Sequence, residues 1–175
     1  PPQEMATGEP KARAREMGEV ALGYTEEQAR LEAARCIQCK NRPCVEGCPV
    51  GVSIPEFIDR MADNDLPEAA RILQRDNALP AVCGRVCPQE SLCESQCVLG
   101  KKGKPVAIGN LERFAADSTA ALRAGRNEKV DTKPSGKKVA LIGSGPASLA
   151  CAGDLARMGH EITVYEALHA FGGVL

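Results

Sequence analysis

Apolar residues recur at helical spacing through the middle of the chain, with charged residues between them. The segments 57–61 and 69–73 each place apolar side chains on one face of a helix. This pattern predicts two amphipathic helices that contribute to one core. The residues predicted to face that core are Phe57, Ile58, Met61, Ala69, Ile72 and Leu73.

Capping signals predict where several helices begin. A Ser, Thr or Asp followed three residues later by Glu or Gln can satisfy free backbone N–H groups at a helix N-terminus. A longer helix is predicted from about residue 109 to 124, with Gly125 suited to its C-terminal cap. The capping pairs are Thr25 with Gln28, Ser53 with Glu56, and Asp65 with Glu68.

The pattern changes near the end of the chain. "KVALIG" is a short apolar run typical of a buried strand, "PASLACAGDLARM" predicts a helix ended by Gly159, and "EITVYE" predicts a second strand. This order predicts a parallel βαβ unit. A lone βαβ unit cannot cover both faces of a parallel sheet, so we expect the chain to be a fragment of a longer protein.

Composition and charge narrow the classes of function. The net charge is -1, which provides no basic surface for nucleic acid. No apolar run reaches the roughly 18 residues of a membrane span, and the polar N-terminus does not resemble a signal peptide. We therefore expect no nucleic acid and no membrane among the partners, and a cytoplasmic location. In a reducing compartment, thiols more often hold metal than form disulfides.

Eight of the nine cysteines fall into two groups of four. Disulfides and zinc are alternatives, but zinc sites favour paired C-x2-C motifs, and the first group holds the single such pair. The first group instead has the bacterial ferredoxin form C-x2-C-x2-C-x3-C-P with one spacer widened to four. We therefore predict two 4Fe-4S clusters, and an inert buried thiol at Cys151. The groups are Cys36, Cys39, Cys44 and Cys48, then Cys83, Cys87, Cys93 and Cys97.

A glycine turn joins the first predicted strand to the helix. Gly143 permits a tight turn, Gly145 lets the backbone approach a pyrophosphate, and the helix N-terminus that follows, with Pro146 and Ala147, faces the anion. Glu166 ends the second strand, where an acid accepts a hydrogen bond from a ribose hydroxyl. The turn therefore predicts a dinucleotide site, although a tight turn without a ligand is the alternative. Ser148 stands where the fingerprint has its third glycine.

Three segments together resemble the N-terminal part of the glutamate synthase small-subunit family. They are "EVALGYTEEQARLEAARCIQCKNRPCVEGCPV", "LPAVCGRVCPQESLCESQCVLGKKGKPVAIGNLERF" and "KVALIGSGPASLACAGDLARMGHEITVYE". Similar proteins are the large subunit of NADH-dependent ferredoxin:NADP oxidoreductase and the N-terminal region of dihydropyrimidine dehydrogenase. The resemblance implies an α-helical ferredoxin-like domain with two clusters, then an FAD domain and an NADPH domain.

The resemblance also implies domain boundaries. The fold class expected is the α-helical two-cluster domain followed by a truncated α/β segment, a Rossmann-like βαβ unit that binds FAD. Gly172 and Gly173 resemble the family's second flavin contact. The expected divisions are an irregular or partly ordered arm at 1–24, the helical domain at 25–125, a linker at 126–136 and the FAD-binding segment at 137–175.

The cluster ligands implied by the resemblance differ from a plain count of cysteines. A count would give each cluster four thiolates, with Cys83 among them. The family pattern instead places Glu112 as the fourth ligand of the second cluster and leaves Cys83 as a spare thiol. From the sequence alone, Glu112 is an ordinary solvated helix residue. The implied sets are Cys36, Cys39, Cys44 and Cys97 for the first cluster, and Cys48, Cys87, Cys93 and Glu112 for the second.

The function implied by the resemblance is electron transfer. In a complete protein, NADPH would reduce FAD, and the two clusters would pass single electrons to a glutamate synthase large subunit or a ferredoxin-type subunit. The alternatives are the large subunit of NADH-dependent ferredoxin:NADP oxidoreductase and, in another class, a non-catalytic assembly module held together by its metal. No catalytic side-chain arrangement is visible in the sequence. We expect the 175 residues alone to be inactive and to bind FAD weakly.

Overall fold

The computed structural model describes residues 1–123 and 132–175, and these form two compact units. The first unit comprises Pro1–Asp76 and Pro80–Leu122. The second comprises Asn77–Leu79 and the described residues from Arg123 onward. The predicted C-cap Gly125 and residues 126–131 of the predicted linker lie outside the described residues.

The first unit is helical. Most of its helices are short, and three single-turn 3-10 helices carry the chain through the second cysteine group. The α-helices are α1 (Pro10–Arg13), α2 (Glu26–Ala33), α3 (Pro43–Glu46), α4 (Ile54–Ala62), α5 (Leu66–Asp76), α6 (Pro80–Val86) and α7 (Ile108–Arg123). The 3-10 helices are Gln89–Ser91, Glu94–Gln96 and Val98–Lys101.

The core of this unit lies where α4 and α5 pack together against α2 and α7. Leu111 and Ala115 of α7 and Ala29 and Ala33 of α2 are fully buried beside them. The predicted core residues are confirmed, because none of the six is more than 5% exposed. Those six are Phe57, Ile58, Met61, Ala69, Ile72 and Leu73.

Two of the three predicted capping pairs form in the structure. The Thr25 side chain accepts from the backbone of Gln28 at 3.2 Å, and Gln28 accepts from Thr25 at 2.9 Å, which completes the capping box of α2. Asp65 accepts from the backbone N–H of Glu68 at 3.2 Å. Ser53 precedes α4 as predicted but does not cap it, because its hydroxyl accepts a hydrogen bond from Arg75 at 2.8 Å.

The N-terminal segment, predicted as an irregular or partly ordered arm, makes several hydrogen bonds to distant parts of the chain. Its two halves pair at an isolated bridge between Thr7 and Ala21. The backbone N–H of Gln3 donates to the buried carboxylate of Glu32 at 2.8 Å, and Arg113 donates to the carbonyl of Ala21 at 2.9 Å. These bonds join residues distant in sequence, so local composition does not reveal them.

The second unit contains the predicted βαβ arrangement. Strands β1 (Lys138–Ile142) and β2 (Glu161–Tyr165) pair in parallel, and helix α8 (Pro146–Arg157) connects them. Gly159, which follows α8, has a φ of +82°, as expected of a helix terminator.

Two expectations about burial in this unit are wrong. The strands are not buried, since Ile142 is 81% exposed and Tyr165 is 58% exposed. The thiol of Cys151 is exposed rather than buried. Both differences have one reason: in the described residues the sheet has two strands, too few to cover α8 and both faces of the strands. Separately, no described helix is long and apolar enough to cross a membrane.

Candidate metal centre and nucleotide-binding turn

Four cysteines line one cavity in the helical unit. Cys36, Cys39 and Cys44 come from the chain after α2, and Cys97 comes from the 3-10 segment far along the sequence. The cavity has a volume of about 30 Å³, and its other walls are apolar. Those walls are Ile37, Pro43, Ile54, Pro55, Ile58, Val98, Leu99, Val106 and Ile108.

The chain wraps around this cavity through two residues in the left-handed region. Gln38 has a φ of +49° and Arg42 a φ of +44°. Because the second of these directly precedes α3, the chain reverses between Cys39 and Cys44 and both thiols face the cavity. On the opposite wall, the backbone N–H of Val106 donates to the sulfur of Cys97 at 3.5 Å.

The surroundings of these thiols oppose a free thiolate. Burial raises the pKa of Cys36, and it raises the pKa of Cys44 to about 11, with the neighbouring thiols adding to the effect. A thiolate in such a cavity needs a positive partner. Four thiols around an apolar cavity are the donor set that a 4Fe-4S cubane takes, with one thiolate for each iron. The residues present therefore fit this group.

A second group of side chains meets around Cys87 and Cys93. Burial is the main cause that raises the pKa of Cys93 to about 12, and Glu94, Cys48 and Glu112 add to it. Burial likewise raises the pKa of Cys87 to about 11, with contributions from Cys83, Glu112 and Cys48. Cys48 and Glu112 act on both thiols, so all four groups lie close together.

The two candidates for the fourth position of this group are both near it. Glu112 is only 8% exposed, so the view of it as an ordinary solvated helix residue is wrong. Cys83 lies on α6, and it adds to the raised pKa of Cys87. Within the described residues, no three His, Cys, Asp or Glu side chains are arranged to hold a single metal ion. The choice between Glu112 and Cys83 stays a prediction.

Three glycines allow the segments of the second group to approach one another. A Cβ on Gly84 would lie 2.6 Å from the backbone N of Arg113, the residue after Glu112. A Cβ on Gly47 would lie 3.0 Å from the carbonyl of Leu92 and 3.3 Å from the Cα of Cys93. A Cβ on Gly109 would lie 2.2 Å from the side chain of Gln89. The sequence analysis did not single out these three glycines. The sequence offered only their positions as a signal: Gly47 and Gly84 are next to cysteines, and Gly109 lies inside a helix.

A charged network also surrounds the second group. Arg85 of α6 donates to Asp117 of α7 at 2.7 Å and to Glu19 of the N-terminal segment at 2.8 Å. Arg113, whose side chain is 7% exposed, lies 3.2 Å from the same Glu19 carboxylate. This network links the N-terminal segment to both helices that carry Cys83 and Glu112. The sequence held no signal for it.

The predicted glycine turn forms between β1 and α8. Gly143 has a φ of +89°, which only glycine adopts without strain. Gly145 is the N-cap residue of α8. No atom lies within 4 Å of a Cβ built on Gly145, so the space above the turn is open. The first turn of α8, which includes Pro146 and Ala147, follows directly.

Glu166 and the two later glycines converge on the turn through Ser144. The Glu166 carboxylate accepts from the backbone N–H of Ser144 at 2.9 Å and from its hydroxyl, and these bonds help lower the pKa of Glu166 to about 2. The N–H of Gly172 donates to the Ser144 hydroxyl at 2.9 Å. A Cβ on Gly173 would lie 3.1 Å from the Cα of Gly145. Ser144, which is 2% exposed, is a site residue that sequence reasoning missed.

Two family models match the chain. The model described as dihydropyrimidine dehydrogenase domain II, 4Fe-4S cluster, matches residues 13–124. The model described as NAD(P)-binding Rossmann-like domain matches residues 141–175. The first match covers most of the helical unit, with both cysteine groups, and the second covers the last two residues of β1 and everything after them.

Curated relatives agree with these matches. The glutamate synthase [NADPH] small chain of Escherichia coli K12 is 41% identical over 94% of this chain, which spans 35% of that relative. The putative oxidoreductase UacF of the same strain is 39% identical over 90% of the chain, which spans 25% of it. The NAD-dependent dihydropyrimidine dehydrogenase subunit PreT of that strain is 37% identical over 86% of the chain, which spans 36% of it.

The chain thus spans about a third or less of the length of these relatives. Both cysteine groups lie within the first matched range, and the glycine turn and α8 lie within the second. The chain belongs to the dihydropyrimidine dehydrogenase domain II family of 4Fe-4S proteins, and it is similar over 94% of its length to a glutamate synthase [NADPH] small chain.

Proposed function

We propose that this chain is the electron-transfer part of an NADPH-dependent flavin and iron–sulfur oxidoreductase, most closely of the glutamate synthase small-chain type. One observation carries the proposal: Cys36, Cys39, Cys44 and Cys97 line a single apolar cavity. Without a metal these thiols stay protonated, since burial raises the pKa of Cys36 and Cys44, and they ionise when a metal supplies positive charge. A 4Fe-4S cluster supplies that charge and exchanges single electrons.

The second group would hold a second 4Fe-4S cluster. Cys48, Cys87 and Cys93 would each bind one iron, and Glu112 would bind the fourth. The burial of Glu112 beside both thiols supports this assignment over a solvated surface role. Gly84 and Gly47 would act by letting the helices come close enough for these ligands to share one cluster.

The glycine turn would hold the ADP part of FAD. Backbone N–H groups at Gly145 and in the first turn of α8 would face the pyrophosphate, since the helix N-terminus favours negative charge. Glu166 stays ionised across the physiological range, so it can accept from a ribose hydroxyl. Gly172 and Gly173 lie beside the turn and would contact the flavin. Bound FAD would exchange electron pairs with a nicotinamide nucleotide and single electrons with an iron–sulfur cluster.

The electron donor and the partner follow from the relatives. We take NADPH as the donor and a glutamate synthase large subunit as the partner, in the cytoplasm, because two glutamate synthase [NADPH] small chains are 41% and 38% identical to this chain. A second candidate is an NAD-dependent oxidoreductase with a ferredoxin-type partner subunit. It is favoured by the 37% identity to the NAD-dependent dihydropyrimidine dehydrogenase subunit PreT.

Metal analysis of anaerobically purified protein tests this proposal. We expect brown protein with about eight iron and eight sulfide per chain, as two cubanes require. Cys151→Ser is the matched control, because this exposed thiol lies outside both groups and its loss should leave the iron content unchanged. Stoichiometric zinc without sulfide would overturn the proposal and favour a metal-stabilised assembly module.

A further inference from the structure

Gln38 has an unusual position at the edge of the first cavity. It lies between Cys36 and Cys39, and its left-handed backbone, with a φ of +49°, turns its side chain back toward the preceding cysteine. Its amide nitrogen Nε2 is 3.0 Å from the carbonyl oxygen of Pro55 and 3.6 Å from the sulfur of Cys36.

The bond to Pro55 determines which way the amide points. A backbone carbonyl can only accept a hydrogen bond, so the amide nitrogen, and not its oxygen, must face Pro55. If the side-chain amide of Gln38 were flipped, so that N and O changed places, its oxygen would face the carbonyl oxygen of Pro55, and both are acceptors. One amide hydrogen therefore serves Pro55, and the other is available to the sulfur of Cys36.

We propose that Gln38 is a positioning residue that sets the reduction potential of the cluster at the first site through its N–H···S bond to Cys36. The inference rests on the proposed cluster. Reduction adds negative charge to a cluster and its sulfur ligands, and the partial positive charge of an N–H group stabilises the reduced form more than the oxidised form. Gln38 therefore raises the potential and favours electron entry at this cluster.

The side-chain N–H of Gln38 differs from the backbone donors around the cavity, because a substitution of this residue removes the donor. The N–H of Val106 supports Cys97 whatever side chain that residue carries. The identity of residue 38 thus provides a way to change the potential of one cluster while its ligands stay the same.

Gln38→Met tests this role, because Met keeps the length of the side chain but has no N–H donor. We expect the anaerobically purified protein to keep its iron and sulfide, and the potential of one cluster to fall. The one-electron equilibrium should shift by up to about tenfold, which corresponds to ~59 mV. A redox titration followed by low-temperature electron paramagnetic resonance measures the shift.

Two further variants make the result specific. Gln38→Gly also lacks the donor but adopts a positive φ without strain, so it tests the same potential if the Met variant loses its cluster. Gln28→Met is the matched control, because the side chain of Gln28 bonds to the backbone of Thr25 and Glu4 and to no sulfur. The cluster potentials of this variant should equal those of wild type.

The outcomes separate this inference from the proposed function. If either residue 38 variant holds full iron and has the wild-type potential, the role of Gln38 is overturned and the cluster site stands. If wild-type protein binds no iron and sulfide at all, the proposed function fails first. A lowered potential in both variants, with Gln28→Met unchanged, supports the role.

Discussion

Glu112 is the residue on which the assignment of the second site depends. It is buried on α7, and its charge acts on both Cys87 and Cys93. Cys83 approaches the same place from α6. A carboxylate and a thiolate differ in the negative charge that they donate to iron, so the two ligand choices predict different spectra for the second cluster.

Substitution of these two residues distinguishes the choices. If Glu112 is the ligand, Cys83→Ser should keep both clusters and nearly all the iron, whereas Glu112→Ala should destabilise one cluster because an iron loses its protein ligand. Glu112→Cys should retain the cluster at a lower potential. Iron counts and low-temperature electron paramagnetic resonance measure each effect. The opposite result, with half the iron lost in Cys83→Ser and none in Glu112→Ala, would make Cys83 the ligand.

Ser144 has a comparable role at the glycine turn, because it is the main cause of the low pKa of Glu166. In Ser144→Ala, the pKa of Glu166 should rise from about 2 toward its ordinary value of 4.5. Carbon NMR of the labelled carboxylate as a function of pH measures this. Ser148→Ala, in the first turn of α8, is the matched control and should leave the pKa of Glu166 unchanged.

The sign of the pH effect follows from that shift. A lowered carboxyl pKa contributes stability that is fully present above the unfolded value and is lost as the pH falls through the folded value. The charge-dependent part of the stability difference between wild type and Ser144→Ala should therefore be constant well above pH 4.5 and be lost as the pH falls to about 2. Loss of the bond from the N–H of Gly172 leaves a remainder that does not change with pH. A difference that grows toward low pH would contradict the role of Ser144.

At the scale of elements, the second site depends on the contact between α6 and α7. Gly84 lies against the backbone of Arg113, so the two helices are closer there than any side chain would allow. An ion pair also joins the two helices, with Nη2 of Arg85 on α6 2.7 Å from Oδ2 of Asp117 on α7. Because α6 carries Cys83 and α7 carries Glu112, the separation of these helices sets the dimensions of the site.

Gly84→Ala should therefore affect both stability and metal content. The added methyl group meets backbone at 2.6 Å, which cannot move as a flexible side chain can, so we expect a loss of roughly 1–3 kcal/mol of unfolding free energy. We also expect loss of iron from the second site alone. Thermal unfolding and iron analysis measure the two effects.

Gly100→Ala is the matched control for this prediction. Gly100 lies in a 3-10 helix of the same unit, and a Cβ there would make an ordinary contact of 3.6 Å with Pro105. Its unfolding free energy and iron content should stay close to those of wild type. Equal effects of Gly84→Ala and Gly100→Ala would show that the α6–α7 contact tolerates a side chain.

At the scale of the whole molecule, two units carry two kinds of chemistry. The helical unit corresponds to the 4Fe-4S family match over residues 13–124, and the βαβ unit corresponds to the Rossmann-like match over 141–175. The strands of the second unit are exposed at positions such as Ile142 and Tyr165. A parallel sheet needs further elements to cover both of its faces, and this chain spans 35% of the length of the glutamate synthase small chain of Escherichia coli K12.

The sequence by itself determined the elements and the class of chemistry. Helix starts at Thr25 and Asp65, the core positions of α4 and α5, and the βαβ order were all predicted, because each depends on spacing within one element. The cysteine spacing indicated iron–sulfur chemistry, but it left the grouping of the eight thiols open. The resemblance implied a grouping without a physical reason for it.

Only the tertiary structure decided which side chains meet. Cys97 joins Cys36 across the cavity, Glu112 is buried, and Cys151 is exposed, each because of helices or strands distant in sequence. The same holds for Gly84, whose need for a hydrogen in place of a side chain exists only where α7 packs against it. A local pattern specifies which face of an element is apolar. It does not specify which other element covers that face or how closely the two elements approach. The covering element and its separation determine which side chains meet at the site.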